Sequence, residues 1–485
     1  MLMVNGQVED GLLMIMRFLD FFGYAPAIMV PRAVSLLVVI VFTRLLDPSQ
    51  FGMYSLIIIY GGLLDALLLS WSRMGVLRFY HRKRGGALGE LMPGALLVLM
   101  GGLVIGGFFG AFLSMTTIST STIEFYMLLM LYFVGNGLLS FGLNILRTRE
   151  QRSLYVILEV VRPILGFIAA GILVRIHGSD YIQLGEGFFG VTGVFGILLM
   201  AGIIRGVNWR AADWKSFKEM MQYAAPLLLV FFWVNFITAS DRFFLNYLSG
   251  PAAVGMFAAS YSISRPIIEI LFNVINLGEF PKLIIAFEQY GSVGAQRALK
   301  QTLGYLIFLC IPSLTGLFLL AEPLSFFLVG EEFREGAPMV IRLAAFGAFF
   351  AGLKSFVFDQ IFHLHRKTLV QSLTLIPAAL LSIVLNLLLI PFYGAVGAAW
   401  AGVSGYMLAA VLSFIYSRRY LKILWPVREL VWVGFASVLM GITIQLIQRG
   451  PDPKRLIYTV PIACGLYFMI CWRSGVLPVF KTLQK

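Results

Sequence analysis

The sequence predicts an all-α polytopic membrane protein with fourteen transmembrane helices. Three observations carry that expectation. First, 59% of the 485 residues are hydrophobic and only 13% are charged, about half the charged share of a soluble domain, and the mean hydropathy is +0.87. Second, apolar stretches close to the roughly 20 residues that cross hydrocarbon recur along the chain. They fall at 22–43, 51–71, 91–114, 124–146, 154–174, 187–205, 222–247, 253–275, 301–321, 337–361, 369–390, 395–416, 429–447 and 456–472. Third, the connecting loops alternate in basic content. This composition excludes a soluble globular protein, a disordered chain and a nucleic-acid-binding domain.

The alternation sets an orientation. One set of loops, with the tail, carries 25 basic residues, among them Arg73, Arg78, Arg82, Arg147, Arg149, Arg152, Lys215, Arg418 and Lys485. The other set carries six: Arg44, Arg175, Arg334, Arg449, Lys454 and Arg455. The positive-inside rule then predicts that both termini are cytoplasmic. Residues 1–20 form an extension, in which 11–20 reads as a short interfacial helix. No apolar run before residue 20 is followed by a small-residue cleavage site, so no removable signal peptide is expected. Three cysteines exclude a disulfide scaffold. The short predicted outside loops argue against a membrane enzyme. No phosphate-binding GxxxxGK[ST] loop is present, and no catalytic residue or metal site is expected; the close pair His363 and His365 reads as part of a solvated loop.

A repeat organises the spans. Tyr24-Ala25-Pro26 resembles Tyr223-Ala224-Ala225-Pro226, and Phe51-Gly52-Met53-Tyr54 resembles Val254-Gly255-Met256-Phe257. Gly137-Leu138-Leu139-Ser140-Phe141 resembles Gly352-Leu353-Lys354-Ser355-Phe356, and Gly190-Val191-Thr192-Gly193 resembles Gly394-Ala395-Val396-Gly397. The order is common and the offset is nearly constant, at 200–215 residues. The repeat unit is six spans, so the two copies run parallel, an arrangement that places a substrate site between lobes. The predicted domains are the extension 1–20, an N-lobe 21–215 (helices 1–6), a C-lobe 216–425 (helices 7–12), and 426–485 with helices 13 and 14 and the tail.

Local motifs carry a resemblance. Arg44-Leu45-Leu46-Asp47-Pro48-Ser49-Gln50-Phe51-Gly52-Met53-Tyr54 resembles the turn signature of oligosaccharide flippases. Gly75-Val76-Leu77-Arg78-Phe79-Tyr80, Asp241-Arg242-Phe243 with Val254-Gly255-Met256-Phe257, and Gly394-Ala395-Val396-Gly397-Ala398-Ala399 are similar to three further elements of that family. The resemblance spans about residues 20–425. It implies a Wzx-type flippase of the multidrug/oligosaccharidyl-lipid/polysaccharide exporter superfamily, in the bacterial inner membrane. The implied substrate is a polyprenyl-diphosphate-linked glycan, moved to the periplasmic face by alternating access for O-antigen, capsule or exopolysaccharide synthesis. A polysaccharide polymerase and a chain-length regulator are the implied protein partners; membrane lipid is a partner and nucleic acid is not. A multidrug or cation antiporter and a peptidoglycan lipid-precursor flippase are the alternatives. Read as structure, the first motif is a tight turn, with Asp47 or Ser49 capping the next helix and Gly52 allowing close helix contact.

Charge within the spans points to a site. A central Arg or Lys costs about 2.5–3.5 kcal/mol on insertion scales, yet Arg32, Arg162, Arg265, Arg342 and Lys354 lie well inside spans, and Arg242 lies in one close to a helix end, where it can snorkel outward. With Arg78 they form a candidate cationic cavity, and Arg suits phosphate through its planar fork. Asp65, Asp241 and Glu269 are candidate ion-coupling or counter-charge residues, with Glu159 and Asp359 the other buried acids. Structural ion pairs between helices are the competing reading. Pro31-Arg32, Arg162-Pro163 and Arg265-Pro266 each set an intramembrane arginine beside a proline, which frees a helix carbonyl. Pro26, Pro31, Pro226 and Pro266 are candidate hinges. Tyr261 and Trp233 are candidates to stack on sugar, while Trp71, Trp425 and Trp432 read as interfacial belt residues. No cofactor is expected beyond H+ or Na+ as a coupling ion.

Overall fold

The computed structural model describes residues 23, 25–82, 87–117, 122–207, 209, 213–365 and 367–476. The interfacial helix expected at 11–20 lies outside them, and Arg78, Pro226 and Trp233 are described by their backbone alone. The described chain is helical, with no strand. Eleven of its helices are long and apolar enough to cross a membrane. Two of the eleven are interrupted: Ala239–Leu319 at Gly250 and Gly291, and Leu369–Ser417 at Gly394. Broken there, the helices are consistent with fourteen crossings. We number them α1 (Ala25–Phe42), α2 (Pro48–Leu77), α3 (Ala87–Thr117), α4 (Thr122–Thr148), α5 (Arg152–His177), α6 (Tyr181–Arg205), α7 (214–249), α8 (251–290), α9 (292–319), α10 (Ala337–Leu364), α11 (369–393), α12 (395–417), α13 (Val427–Ile447) and α14 (Leu456–Arg473).

The breaks have a local cause. Gly250 has φ 82° and Gly394 has φ 50°, a left-handed region that only glycine occupies at little cost. The prolines act differently. The backbone remains helical through Pro26, Pro31, Pro226 and Pro266, so the non-helical torsions sit at glycines and not at the candidate proline hinges.

Contacts divide the chain into two compact units: Met1–Val38 with Met53–Asn235, and Val39–Gly52 with Phe236–Lys485. The first unit packs Leu69, Leu96, Leu99, Phe133, Phe141 and Met200 into its core. There α4 and α6 approach closely, because a Cβ on Gly196 would lie 2.8 Å from the Gly135 carbonyl. The second unit has a core of Phe272, Leu299, Leu303, Phe358 and Ile361. A further cluster seats α13 and α14 against α9, where Tyr467 Oη donates to the Phe308 carbonyl at 2.6 Å.

The α1–α2 turn belongs to the second unit. Asp47 caps α2 by accepting from the Gln50 N–H at 2.9 Å, with Pro48 opening the helix. The Thr43 hydroxyl accepts from Gly330 N–H at 2.9 Å, and Arg44 Nη2 donates to the Phe327 carbonyl at 2.7 Å. Phe51 meets Phe333 edge-on, with ring centroids 5.7 Å apart. Gly52 and Gly255 make a reciprocal contact: a Cβ on Gly52 would meet the Pro251 carbonyl, and one on Gly255 would meet the Pro48 carbonyl.

Replacing Gly255 with leucine is therefore expected to destabilise the protein by about 1–3 kcal/mol through overpacking. The midpoint of thermal unfolding of the detergent-purified protein should fall. Gly278, with open space around its missing Cβ, should tolerate alanine. An unchanged midpoint for Gly255→Leu would refute the account of the crossing.

Candidate functional site

The intramembrane charges fall into ion pairs, one larger cluster, and two arginines that bond backbone carbonyls. Two closed pairs sit beside backbone irregularities. In α2 a π-turn spans Ala66–Ser70, directly after Asp65. Asp65 receives both arms of Arg73, at 2.7 and 2.5 Å, and the Ser70 hydroxyl at 3.0 Å. The Asn144 amide donates to the Arg73 carbonyl at 2.7 Å. Arg73, expected in a cytoplasmic loop, is thus a helix residue paired with Asp65. Trp71, expected in the interfacial belt, is buried, whereas Trp425 and Trp432 are exposed. The π-turn and the neutralised charge let α2 continue past the end that hydropathy sets near residue 71.

A second π-turn, Lys354–Phe358, interrupts α10. Residues five apart share a face across such a turn, and Lys354 Nζ lies 2.6 Å from Asp359 Oδ2. The two side chains are only 4% and 0% exposed. Ser413 on α12 donates to Asp359 Oδ1 at 3.0 Å, and its Oγ lies 3.1 Å from that of Thr374 on α11. Lys354 is therefore an internally neutralised residue tying three helices together.

The remaining candidates also have partners. Arg162 lies 3.3 Å from Glu159. Arg342 donates to the Phe318 carbonyl at 2.9 Å, near the end of α9, and stands 5.2 Å from that ring's centre. Arg32 reaches the Ile28 carbonyl at 3.4 Å. In the three Arg/Pro sites the guanidinium does not serve the carbonyl that proline frees, four residues back. Arg32 bonds residue 28 and not 27, Arg162 bonds the Glu159 carboxylate, and Arg265 turns to other side chains.

Arg265 belongs to the larger cluster, in the second unit. Its Nε meets Glu269 Oε1 at 2.5 Å and its Nη1 meets the Tyr261 hydroxyl. Its guanidinium carbon lies 5.1 Å from the centre of the Tyr261 ring and 5.5 Å from that of Tyr406. The Arg242 guanidinium carbon lies 4.9 Å from Tyr261 and 5.2 Å from Phe257. These are cation–π distances. Beside Arg242, the buried Asp241 accepts from Asn386 Nδ2 at 2.9 Å and from Ser382 Oγ at 3.4 Å. A Cβ on Gly402 would come 3.0 Å from Asp241 Oδ2. The Asn386 Oδ1 atom is buried and accepts no hydrogen bond.

The cluster thus joins Asp241, Arg242, Arg265 and Glu269, drawn from α7 and α8, with α11 and α12 supplying Ser382, Asn386 and Tyr406. Pattern reading found the four charges and Tyr261. It missed Asn386, Ser382 and Tyr406, which are distant in sequence; polar residues inside apolar spans were the signal that could have found the first two. Chemically the cluster offers two guanidinium forks beside aromatic faces, and next to them an oxygen-rich pocket at Asp241. Among the described residues no group of three or more His, Cys, Asp or Glu gathers as a metal site.

Such a helical chain, with paired charges within apolar helices, is a polytopic membrane protein. It belongs to the family described as "Polysaccharide biosynthesis protein", which matches residues 20–284. Its fold is similar to that of the lipid II flippase MurJ in an inward closed conformation, at 14% identity and TM-score 0.78, over 95% of this chain and 99% of that one. It is also similar to an inward-facing multidrug resistance MATE family transporter of the MOP superfamily, at 14% identity and TM-score 0.56, over 81% and 97%. The MATE multidrug transporter DinF-BH matches at 17% identity and TM-score 0.55, over 82% and 95%. No curated protein matches the chain.

The closed Lys354–Asp359 pair yields a stability prediction. Asp359→Ala leaves a buried lysine unpaired and is expected to cost about 3–5 kcal/mol. The double variant Lys354→Met/Asp359→Leu should recover most of that loss. Thermal unfolding in detergent checks both, and equal destabilisation by the single and double variants would contradict the pairing.

Proposed function

We propose that the protein flips polyprenyl-diphosphate-linked oligosaccharide repeat units from the cytoplasmic to the periplasmic face of a bacterial inner membrane, as a transporter and not an enzyme. The Arg242–Tyr261–Arg265 arrangement carries this reading. Guanidinium forks suit diphosphate oxygens, and neighbouring aromatic rings suit sugar faces. Membership of the polysaccharide biosynthesis family supports the glycan. The 25 basic residues predicted on one side, against six on the other, support cytoplasmic termini. Alternating access between the two repeats is the proposed motion, and a polymerase and a chain-length regulator are the proposed partners.

The Asp241 pocket adds a mechanism. Formally the cluster is balanced, with Asp241 and Glu269 against Arg242 and Arg265. The Asp241 carboxylate, Ser382 Oγ and the unpartnered Asn386 Oδ1 offer oxygen donors to a hard cation such as Na+, and the carboxylate alone could take H+. Either ion removes one negative charge and leaves the cluster with one positive charge in excess for the diphosphate. Glu269 and Asp65 then serve as counter-charges to Arg265 and Arg73.

A peptidoglycan precursor is the second reading, supported by the extensive fold overlap with a lipid II flippase. A deletion strain separates the two. Loss of surface polysaccharide, with inward-facing lipid-linked repeat accumulating and growth maintained, is the expected outcome; lysis with intact polysaccharide would reject it. In proteoliposomes, Arg265→Ala should slow flipping about tenfold or more, the loss of one charged hydrogen bond of about 1.5–3 kcal/mol. Full activity of the inserted variant would sink the role of Arg265. Asp241→Asn should flip without dependence on an ion gradient, and retained dependence would exclude Asp241 as the coupling site.

A further inference from the structure

Away from the charge cluster, the first unit carries a groove that the proposed transport does not use. It is formed by α4, α5 and α6 and has a volume of about 420 Å3, within the roughly 300–1,000 Å3 of ordinary ligand sites. The buried Leu146 lies beneath it; Leu154, Leu158, Phe195, Leu198 and Leu199 line it. Leu198 is 68% exposed and Leu154 43% exposed, on helices long and apolar enough to span a membrane. For those helices the surrounding solvent is hydrocarbon, so an apolar lining is open to lipid and not to water.

The lining also includes two polar residues, Arg149 and Gln151. Both lie in the short turn between α4 and α5. At that turn Glu150 takes φ 57°, the only positive φ of a non-glycine among the described residues, and Gln151 N–H donates to the Leu146 carbonyl at 2.9 Å. The turn ends α4 and brings residues 149 and 151 to the groove. The charge around it is one-sided. Arg147, Arg149 and Arg152 flank the turn, and Arg205 ends α6 two residues beyond the lining residue Ile203, with Glu150 the one acid of the turn. Four residues past Arg205 stands the exposed Trp209, a residue type that marks headgroup depth.

We propose that this groove holds one acyl chain of an anionic phospholipid, with the phosphate on the Arg149 guanidinium and the Gln151 amide. An apolar slot ending in basic side chains at headgroup level matches that amphiphile in both shape and charge. A zwitterionic lipid would meet the same slot with its phosphate offset by its own ammonium group.

Native mass spectrometry of the purified full chain, released from nanodiscs with equal amounts of phosphatidylglycerol and phosphatidylcholine of one acyl composition, tests this. The wild type should retain one phosphatidylglycerol over phosphatidylcholine by about fivefold per basic contact. Arg149→Glu, at an exposed position, should abolish the preference. Leu199→Trp, which fills the groove, should remove retention of the bound lipid, while Leu388→Trp on the exposed face of α11 should leave it intact. Equal retention of the two lipids by the wild type would overturn the proposal. So would an undiminished preference in Arg149→Glu or undiminished retention in Leu199→Trp, provided each variant unfolds at the wild-type temperature.

Discussion

Hydrocarbon offers no hydrogen-bond partner, and the rest of this structure depends on meeting that constraint internally. Helices satisfy the backbone. Hydroxyls within the spans turn back on their own helices, as Thr148 does to the Asn144 carbonyl at 2.6 Å and Ser260 to Met256 at 2.9 Å. Each intramembrane acid discussed above has a cation or an amide against it. Such pairs are poor stabilisers, because removing two ions from water costs several kcal/mol each and well-packed apolar residues often do better. Their presence fixes which helix faces meet. Lys354 and Asp359 match only across a π-turn, and Ser413 and Thr374 match only if α11 and α12 lie in one register against α10.

That separates the closed pairs from the cluster at Arg242 and Arg265. Lys354–Asp359 is sealed, and its two charges cancel. In the cluster, aromatic rings join the acids around the guanidinium groups, at cation–π distances of 4.9–5.5 Å. Glu269 is 39% exposed in its side chain, so the cluster is not sealed from one side. The two arginines are thus oriented by ring faces as well as by neighbouring acids.

The legibility of these features follows from their range in sequence. The turn at Asp47-Pro48, the helix break at Gly394 and the i,i+4 pair Arg265–Glu269 are local, and local rules find them. Helix ends were read less well. Hydropathy treats Arg73 as a charge that ends the helix, whereas the Asp65 carboxylate eight residues earlier cancels that charge through a π-turn that composition does not encode. Asn386, Ser382, Ser413 and Thr374 lie tens to more than a hundred residues from the groups they serve. Their role became visible only once helices distant in sequence were side by side.

The repeat shows the same logic in its most constrained form. Pro48 and Gly52 stand four residues apart, as do Pro251 and Gly255, and the two sets are separated by a constant 203 residues. Each proline carbonyl packs on the other set's glycine, so the two copies of one short motif meet about a local two-fold relation. A side chain added to either glycine strikes the opposite backbone, which cannot move without displacing its own helix start. The symmetry then breaks in a specific place. Arg44, which ties the first copy to the Phe327 carbonyl, has Tyr247 as its counterpart at the same offset, and Tyr247 is exposed. The reciprocal glycine contact therefore accounts for what the two copies share, and Arg44 for what makes the α1–α2 turn distinct: it ties that turn to the Phe327 carbonyl of the same unit.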